Sequence, residues 1–293
     1  MGLDRNGTKL LLYAKSLGVD FGKTIMLGRQ GLHIDKKNLQ NNLSQFGITN
    51  VNAEDILKEE GRYAEPFLRI LGAKKIDSID ASDYESANII HDMNFPITDE
   101  HKATYDVVID GGSLEHIFNF PVAIKNCMEM IKPGGYFLGI TPANNFFGHG
   151  FYQFSPDLYF KVFSPENGFK IEKIIFFTDR KNPKWYEVKD PDEVRTRVTI
   201  CNDHPSYLFV IGKRISKMPI FEAVPQQGFY QNLLWKDKDK KNEVKPAQAK
   251  ISIITKISNL IANKLEGLII RLSVSFKETG YSNKKFFKRI KNN

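Results

Sequence analysis

Five short apolar runs, each followed by a glycine, an acid or a threonine, constrain the fold of this chain more than any other feature. The runs alternate with segments of helical periodicity, which predicts a parallel sheet built from right-handed crossover units. A chain of 293 residues is long enough for one such α/β domain with additions. The runs are 24–27 before Gly28, 75–79 before Asp80, 87–91 before Asp92, 105–109 before Asp110, and 136–140 before Thr141.

The positions directly after these runs are the first candidates for a binding site. An open parallel sheet binds ligands outside the carboxyl ends of its strands. Asp80, Asp92 and Asp110 follow three successive runs, so we expect their carboxylates to share one crevice. There they can accept hydrogen bonds from ribose hydroxyls or from an adenine amine. One such acid alone is as often a helix N-cap, but three in succession favour a ligand site.

Later segments predict an antiparallel addition at the edge of the sheet. Residues 171–178 and 207–211 have the composition of strands, and a charged stretch at 181–197 separates them. Such a crossover is too long and polar for one helix, which suits an antiparallel edge strand on a mostly parallel sheet.

Four segments carry a resemblance to a known family: YDVVID at 105–110, SLEHI at 113–117, MIKPGGY at 130–136 and TPANN at 141–145. In combination they resemble the second half of class I (Rossmann-like) S-adenosylmethionine-dependent methyltransferases. The resemblance covers about residues 23–212 and is best between 75 and 145. It implies a Rossmann-like, seven-stranded α/β sheet, S-adenosylmethionine as the donor, and transfer of a methyl group to a nucleophile.

The resemblance also implies roles for individual residues. Asp80 is expected to meet the donor's ribose, and Asp92 is expected to lie near the adenine, with His91 and Met93 flanking the ring. Residues 110–113, including Asp110 and Gly111, are expected to line the methionine side. Ordinary packing is the alternative for Met93, and a neighbouring partner is the alternative for His91.

The loop after the first run departs from the family's pattern. The family has an acid and a Gly-x-Gly-x-Gly loop there, whereas this chain has Gly28, Arg29, Gln30 and Gly31, with no acid. Large side chains at 29 and 30 crowd a donor, unless they contact its carboxylate or a substrate anion, for which an arginine is well suited. The alternatives are that Arg29 points to solvent or that the pocket is degenerate. A dinucleotide or nucleotide-sugar enzyme is disfavoured because the glycine fingerprint is absent.

Two histidines are candidates for the base that takes the acceptor's proton. His149 lies in the aromatic and glycine-rich segment 144–154, and His116 follows the fourth run. We expect His149 to be the base ahead of His116. The aromatic side chains near His149 suit a sugar or a ring, so the predicted activity is O-methylation of a small or glycan-like acceptor. The alternative for the segment is a packed loop that completes the core. The alternative for the chain is a catalytically silent binding or scaffold protein.

Domain boundaries follow from changes in composition. Residues 1–223 form the predicted α/β domain, 224–249 a polar linker, and 250–293 a basic helical tail with an apolar stripe at three- and four-residue steps. The tail is predicted either to pack on the domain or in a homodimer, or to lie on an anionic membrane surface as a peripheral contact.

Charge and cysteine content exclude several other classes. The net charge is +8, but five lysines and arginines in the last ten residues supply much of the excess, and no nucleic-acid-binding motif is present, so nucleic acid is not an expected partner. The two cysteines, Cys127 and Cys201, are far apart, which excludes a disulfide framework and a cysteine-based zinc site. With no apolar run of spanning length, we expect a soluble, cytoplasmic protein, with any membrane contact at the inner face.

Overall fold

Alternation of strands and helices along the chain produces a doubly wound sheet. The computed structural model describes residues 2–227 and 283–290. The strands are β1 (Gly2–Leu3), β2 (Lys23–Leu27), β3 (Gly31–Leu32), β4 (Lys75–Asp80), β5 (Ile89–Ile90), β6 (Tyr105–Asp110), β7 (Ile131–Asn144), β8 (Phe169–Thr178), β9 (Trp185–Val188), β10 (Ser206–Arg214) and β11 (Phe287–Ile290). The α-helices are α1 (Arg5–Ser16), α2 (Lys36–Gln45), α3 (Ala53–Lys58), α4 (Glu65–Ile70), α5 (Phe120–Met130), α6 (Pro156–Val162) and α7 (Pro191–Val194).

The main sheet has nine strands in the order β11-β9-β8-β10-β7-β6-β2-β4-β5. Strands β5, β4, β2, β6 and β7 are parallel, and their order is that of the first five strands of a Rossmann sheet. Strand β10 runs antiparallel between β7 and β8. The predicted fold class is therefore confirmed. Two details of the prediction need correction: the sheet has nine strands rather than seven, and the antiparallel β10 is not an edge strand, because β8, β9 and β11 lie outside it and continue the antiparallel part outward.

Side chains of successive strand residues alternate between two apolar cores. Ile25 and Val108 face the core that includes α5 and α6, whereas Met26, Val107 and Ile109 face the core that includes α1 to α4. Burial on both faces explains why the strands are nearly continuous apolar runs in the sequence. It also leaves the strand ends as the places where polar side chains can be exposed.

Two predictions for the later part of the chain need correction. The charged stretch 181–197 contains β9, whose Trp185 is 1% exposed. Residues 287–290, assigned to the helical tail, form strand β11, which pairs with β9 and buries Phe287. An edge strand with charged residues on its open side avoids further pairing, which is why its composition resembles a solvated segment.

The remainder of the tail, and the linker beyond residue 227, lie outside the described residues. The membrane or dimer contact expected of the tail therefore stays a prediction. Within the described ranges, the helices are too short or too polar to cross a bilayer.

Candidate functional site

The carboxyl ends of the parallel strands bring the predicted acids to one edge of the sheet. Leu27, the last residue of β2, is in register with Ile79 on one side and Asp110 on the other. Asp80 follows Ile79 directly, and it is in register with Ile90 of β5, two residues before Asp92. Asp80, Asp92 and Asp110 thus lie along one edge of the sheet. Asp110 is fully buried, with Oδ1 accepting from the N–H groups of Ser113 and Leu114, so a crevice shared by all three carboxylates stays a prediction.

Asp80 and Asp92 are the outer members of this row. Asp80 is half-buried, and one oxygen accepts a 3.2 Å hydrogen bond from the N–H of Ser82. Asp92 is exposed, and hydrogen bonds from the backbone and side-chain nitrogens of Asn94 hold its pKa below the ordinary value. Asp92 is therefore ionised at neutral pH. Both carboxylates keep lone pairs that can accept a further hydrogen bond.

Met93 does not lie where the sequence predicted it. Its side chain is 5% exposed and belongs to the core that includes α5, with its sulfur 3.9 Å from the Asn126 side-chain nitrogen. The flexible thioether fills the interior, which was the packing alternative. Its neighbour His91 is half-buried, with Nε2 3.1 Å from the carbonyl oxygen of Phe95.

The loop after β2 keeps Gly28 at the sheet edge and turns Arg29 away from it. Gly28 has a φ of 66°, and its N–H donates to the carbonyl of Ile79. The Nε of Arg29 donates to Glu65 at 2.6 Å, and its guanidinium lies 3.9 Å from the Tyr63 ring centroid. Arg29 is therefore already paired with an acid in this structure, and its predicted contact with a ligand carboxylate stays a prediction.

Gln30 is the unexpected residue of this loop. It is fully buried, and its side-chain nitrogen donates to the carbonyl of Leu27. Its side-chain oxygen has no hydrogen-bond partner among the described residues. That oxygen lies 2.4 Å from the position a Cβ on Gly111 would occupy, so Gln30 fills the space that the glycine leaves open.

Beyond Gly111 the edge opens into a cavity of about 280 Å³, which we call the His116–His149 cavity. It is lined by Gly2, Asp4, Gly7, Gly111, Gly112, Glu115, His116, Ile140, His149, Phe177, Asp179 and Tyr207. Both predicted catalytic histidines line it. The structure therefore brings His116 and His149 together, although 32 residues separate them in the chain.

Glu115 is close to both histidines: it precedes His116 in the chain and contacts His149 in space. His149 Nε2 is 3.6 Å from Glu115 Oε1, and the two imidazole centroids are 5.2 Å apart. Glu115 is 1% exposed, and its Oε2 has no hydrogen-bond partner among residues 2–227 and 283–290. Burial, with repulsion from Asp110, raises the pKa of the Glu115 carboxyl. Together the three side chains could hold a metal ion, because one ligand atom from each lies within 4.8 Å of the others.

Gly150 allows the loop that carries His149 to close on the turn that carries His116. The backbone nitrogens of Phe151 and Tyr152 donate to the carbonyl oxygen of Glu115 at 2.8 and 3.2 Å. A Cβ on Gly150 would lie 2.9 Å from that same oxygen. A side chain at 150 would therefore push the His149 loop away from Glu115.

Three polar residues of the cavity were missed in the sequence: Asp4, Asp179 and Tyr207. Asp179 follows β8, so the strand-end rule, applied to that strand, would have found it. Tyr207 is in the second position of β10, which begins at this edge because it runs antiparallel. Asp4 enters because β1 pairs with β3, and burial raises its pKa. No local signal predicts that pairing.

The aromatic segment 144–154 exposes some of its rings, next to the exposed ring of Phe118. Phe147 is fully exposed, Phe151 is 66% exposed, and the ring of Phe151 lies 5.8 Å from that of Phe118, which is 71% exposed. Phe154, by contrast, is buried against Phe120. The segment therefore does both of the things expected of it: part completes the core, and part presents rings to solvent.

Comparison with sequence families finds nothing similar: no family model matches the chain, and no curated protein matches it. Solved structures match it only distantly. The Burkholderia thailandensis 1,6-didemethyltoxoflavin-N1-methyltransferase, bound to S-adenosylhomocysteine, is 10% identical over 72% of this chain and 78% of its own, with a TM-score of 0.38. A putative methyltransferase from Bacillus halodurans is 12% identical over 72% of this chain and all of its own, with a TM-score of 0.33.

A third structure, the branched-chain polyamine synthase of Thermus thermophilus with 5'-methylthioadenosine, is 10% identical over 76% of this chain, with a TM-score of 0.37. The match spans 58% of that enzyme's length. Similarity at this level says nothing about the activity of this chain, which has to be argued from its own residues.

Proposed function

We propose that this chain is an S-adenosylmethionine-dependent methyltransferase whose acceptor binds in the His116–His149 cavity. The observation that carries the proposal is the arrangement of Gly28, Asp80 and Asp110 along one edge of the parallel strands. Gly111, which follows Asp110, joins this edge to the cavity. A donor bound along the edge would therefore have its reactive end beside the two histidines.

The residues at the edge fit the chemical groups of the donor. The half-buried carboxylate of Asp80 suits ribose hydroxyls. The methionine part of the donor ends in an ammonium and a carboxylate group, and the ammonium group needs hydrogen-bond acceptors. Gln30 Oε1 and Asp110 Oδ2 are buried acceptors with no partner within the described part of the chain. The bound donor supplies an electrophilic methyl group, so the chain has mainly to position the acceptor and take its proton.

The cavity supplies groups for both tasks. An imidazole is a suitable base at neutral pH, and His149 lines the cavity with its Nε2 3.6 Å from Glu115 Oε1. We assign it the role of taking the acceptor's proton, with His116 as the second candidate. Asp4 and Asp179 can accept hydrogen bonds from hydroxyl groups. The exposed rings of Phe147 and Phe151 suit the apolar face of a sugar. These features support O-methylation of a small or glycan-like acceptor.

One observation favours a second candidate function, a silent binding or scaffold protein. The buried side chain of Gln30 occupies the space beside Gly111, where the methionine part of a donor is expected. If Gln30 keeps this position, the fold persists and the donor is excluded.

Calorimetric titration of the full chain with S-adenosylhomocysteine decides between the two functions. The methyltransferase is expected to bind it with a micromolar Kd, and NAD⁺ is the control nucleotide that should give no heat. A folded chain that gives no heat at millimolar S-adenosylhomocysteine would establish the scaffold instead.

A further inference from the structure

We propose that Glu115, His116 and His149 form a binding site for one divalent transition-metal ion of the zinc class. The ion would lie in the His116–His149 cavity, held by two imidazole nitrogens and one carboxylate oxygen. Two nitrogens and one oxygen are a ligand set that zinc takes in catalytic sites, with a further position left open.

The spacing of the three side chains is close to that of a metal site. One ligand atom from each lies within 4.8 Å of the other two, and His149 Nε2 is 3.6 Å from Glu115 Oε1. Ligands around a tetrahedral zinc ion at 2.0–2.1 Å lie about 3.3 Å apart. Because both imidazoles are exposed, side-chain rotation alone can close the remaining gap.

The backbone holds the ligands together before any ion binds. Glu115 and His116 are adjacent on one 3-10 turn, Leu114–His116, and the loop that carries His149 is hydrogen-bonded to the carbonyl oxygen of Glu115. Gly150 permits that close approach. Less chain entropy is therefore lost on binding than at a site assembled from independent loops.

The state of Glu115 is the independent sign that a cation belongs here. Its side chain is 1% exposed and lines the cavity, yet Oε2 has no hydrogen-bond partner in the described parts of the chain. A buried carboxylate without donors is unfavourable, and a bound cation satisfies it. Asp4 and Asp179 add negative charge to the same cavity.

The ligand chemistry selects among metal ions. Two imidazoles favour zinc and its neighbours over Mg²⁺ and Ca²⁺, which prefer oxygen ligands. Cys127 is buried in the core and Cys201 is not among the residues that line the cavity, so we expect no sulfur ligand.

The metal would also refine the proposed function. An acceptor hydroxyl at the open position would have its pKa lowered by the ion and would release its proton to solvent water, so the ligating imidazoles would orient the ion and His149 would no longer be needed as the base. This role rests on the proposed methyltransferase activity, whereas metal binding itself does not.

The test is titration of the metal-depleted, tag-free full chain with Zn²⁺ against a chromophoric chelator. We expect one equivalent to bind, and we expect His116→Ala, His149→Ala and Glu115→Gln each to weaken binding at least tenfold. The matched control is His101→Ala, which removes a histidine near Glu100, outside the cavity, and should bind zinc as the unaltered chain does. Unchanged binding in all three site variants would overturn the proposal.

X-ray absorption of the zinc-loaded, unaltered chain needs no variant and so does not depend on how the variants fold. A shell of nitrogen and oxygen with two imidazoles is expected, and a sulfur ligand or no bound zinc would overturn the site. Titration with S-adenosylhomocysteine in the presence of EDTA is a separate measurement. Donor binding without zinc binding rejects only the metal site, and the reverse rejects only the methyltransferase.

Discussion

Gln30 and Gly111 share one small volume at the sheet edge. The side-chain oxygen of Gln30 lies 2.4 Å, and its Cδ 2.9 Å, from the position that a Cβ on Gly111 would take. The two residues belong to the loops after β2 and β6, whose ends are paired in register. Any ligand group that enters beside Gly111 must therefore displace the amide of Gln30 or bond to it.

This contact predicts an energetic coupling between the two positions. Gly111→Ala should destabilise the chain by about 1–3 kcal/mol, because the methyl group overlaps a buried side chain. Gln30→Ala should relieve part of that cost, giving a coupling of about 0.5–3 kcal/mol in a double-mutant cycle measured by urea unfolding. Gly148→Ala is the control, because its Cβ would meet no neighbouring atom within 4 Å. Strict additivity of the two changes would contradict the contact.

Asp80 is predicted to carry much of the donor's ribose recognition. Asp80→Ala should weaken S-adenosylhomocysteine binding about tenfold or more, since two hydroxyl hydrogen bonds to a charged acceptor are lost. Asp83→Ala, an exposed change in the next loop, should leave the Kd as it is. Calorimetry measures both, and equal affinities for the two variants would remove Asp80 from the site.

Asp110 should make stability depend on pH. Burial raises its pKa, although the N–H groups of Ser113 and Leu114 oppose the shift. The folded chain therefore holds a proton on Asp110 at pH values where the unfolded chain, with a pKa of about 3.9, has lost it. Stability from this group is present at low pH and is lost as pH rises from about 4 through the raised value.

Asp110→Asn removes this dependence while keeping an oxygen for the two N–H groups. Relative to the unaltered chain, the variant should gain roughly 1–3 kcal/mol between pH 4 and pH 8. Asp83→Asn, at an exposed position, should show no such gain. Urea unfolding at the two pH values is the measurement, and an equal difference at both would show that folding leaves the pKa of Asp110 unshifted.

Arg214 is predicted to hold the end of α5 to the sheet. It is 4% exposed, and its Nη1 donates to the carbonyls of Met128, Glu129 and Ile131 at 2.5–3.4 Å. Arg214→Met removes the donor to these carbonyls, of which that of Glu129 keeps a second donor, the N–H of Ala103, and should cost about 2–4 kcal/mol of unfolding free energy. Arg214→Lys should cost less, because it keeps the charge and some donors.

The control for this series is Lys217→Met, an exposed change three residues away. It should change the urea midpoint little. If Arg214→Met were as stable as the control, the junction between α5 and β7 would be held by apolar packing alone.

The order of strands and helices can largely be predicted from local patterns in this sequence. Strand β4 begins and ends close to where its apolar pattern does, and Asp80 and Asp110 are the last residues of their strands, at the edge where they were predicted. The reason is that a strand buried on both faces must be apolar along its length, so polar residues mark its end. The same rule found the edge at which the site lies.

The side chains that meet at this edge are set by contacts between residues far apart in the sequence. His116 and His149 join Glu115 because Phe151, in the loop of His149, is hydrogen-bonded to Glu115, 36 positions earlier, and Asp4 joins them through the pairing of β1 with β3. Arg29 turns to Glu65, and Met93 enters the core, because partners distant in sequence compete for each side chain. Strand β11 pairs with β9 across a separation of about a hundred residues. Local periodicity carries no information about such contacts, since they depend on the packing of the whole domain.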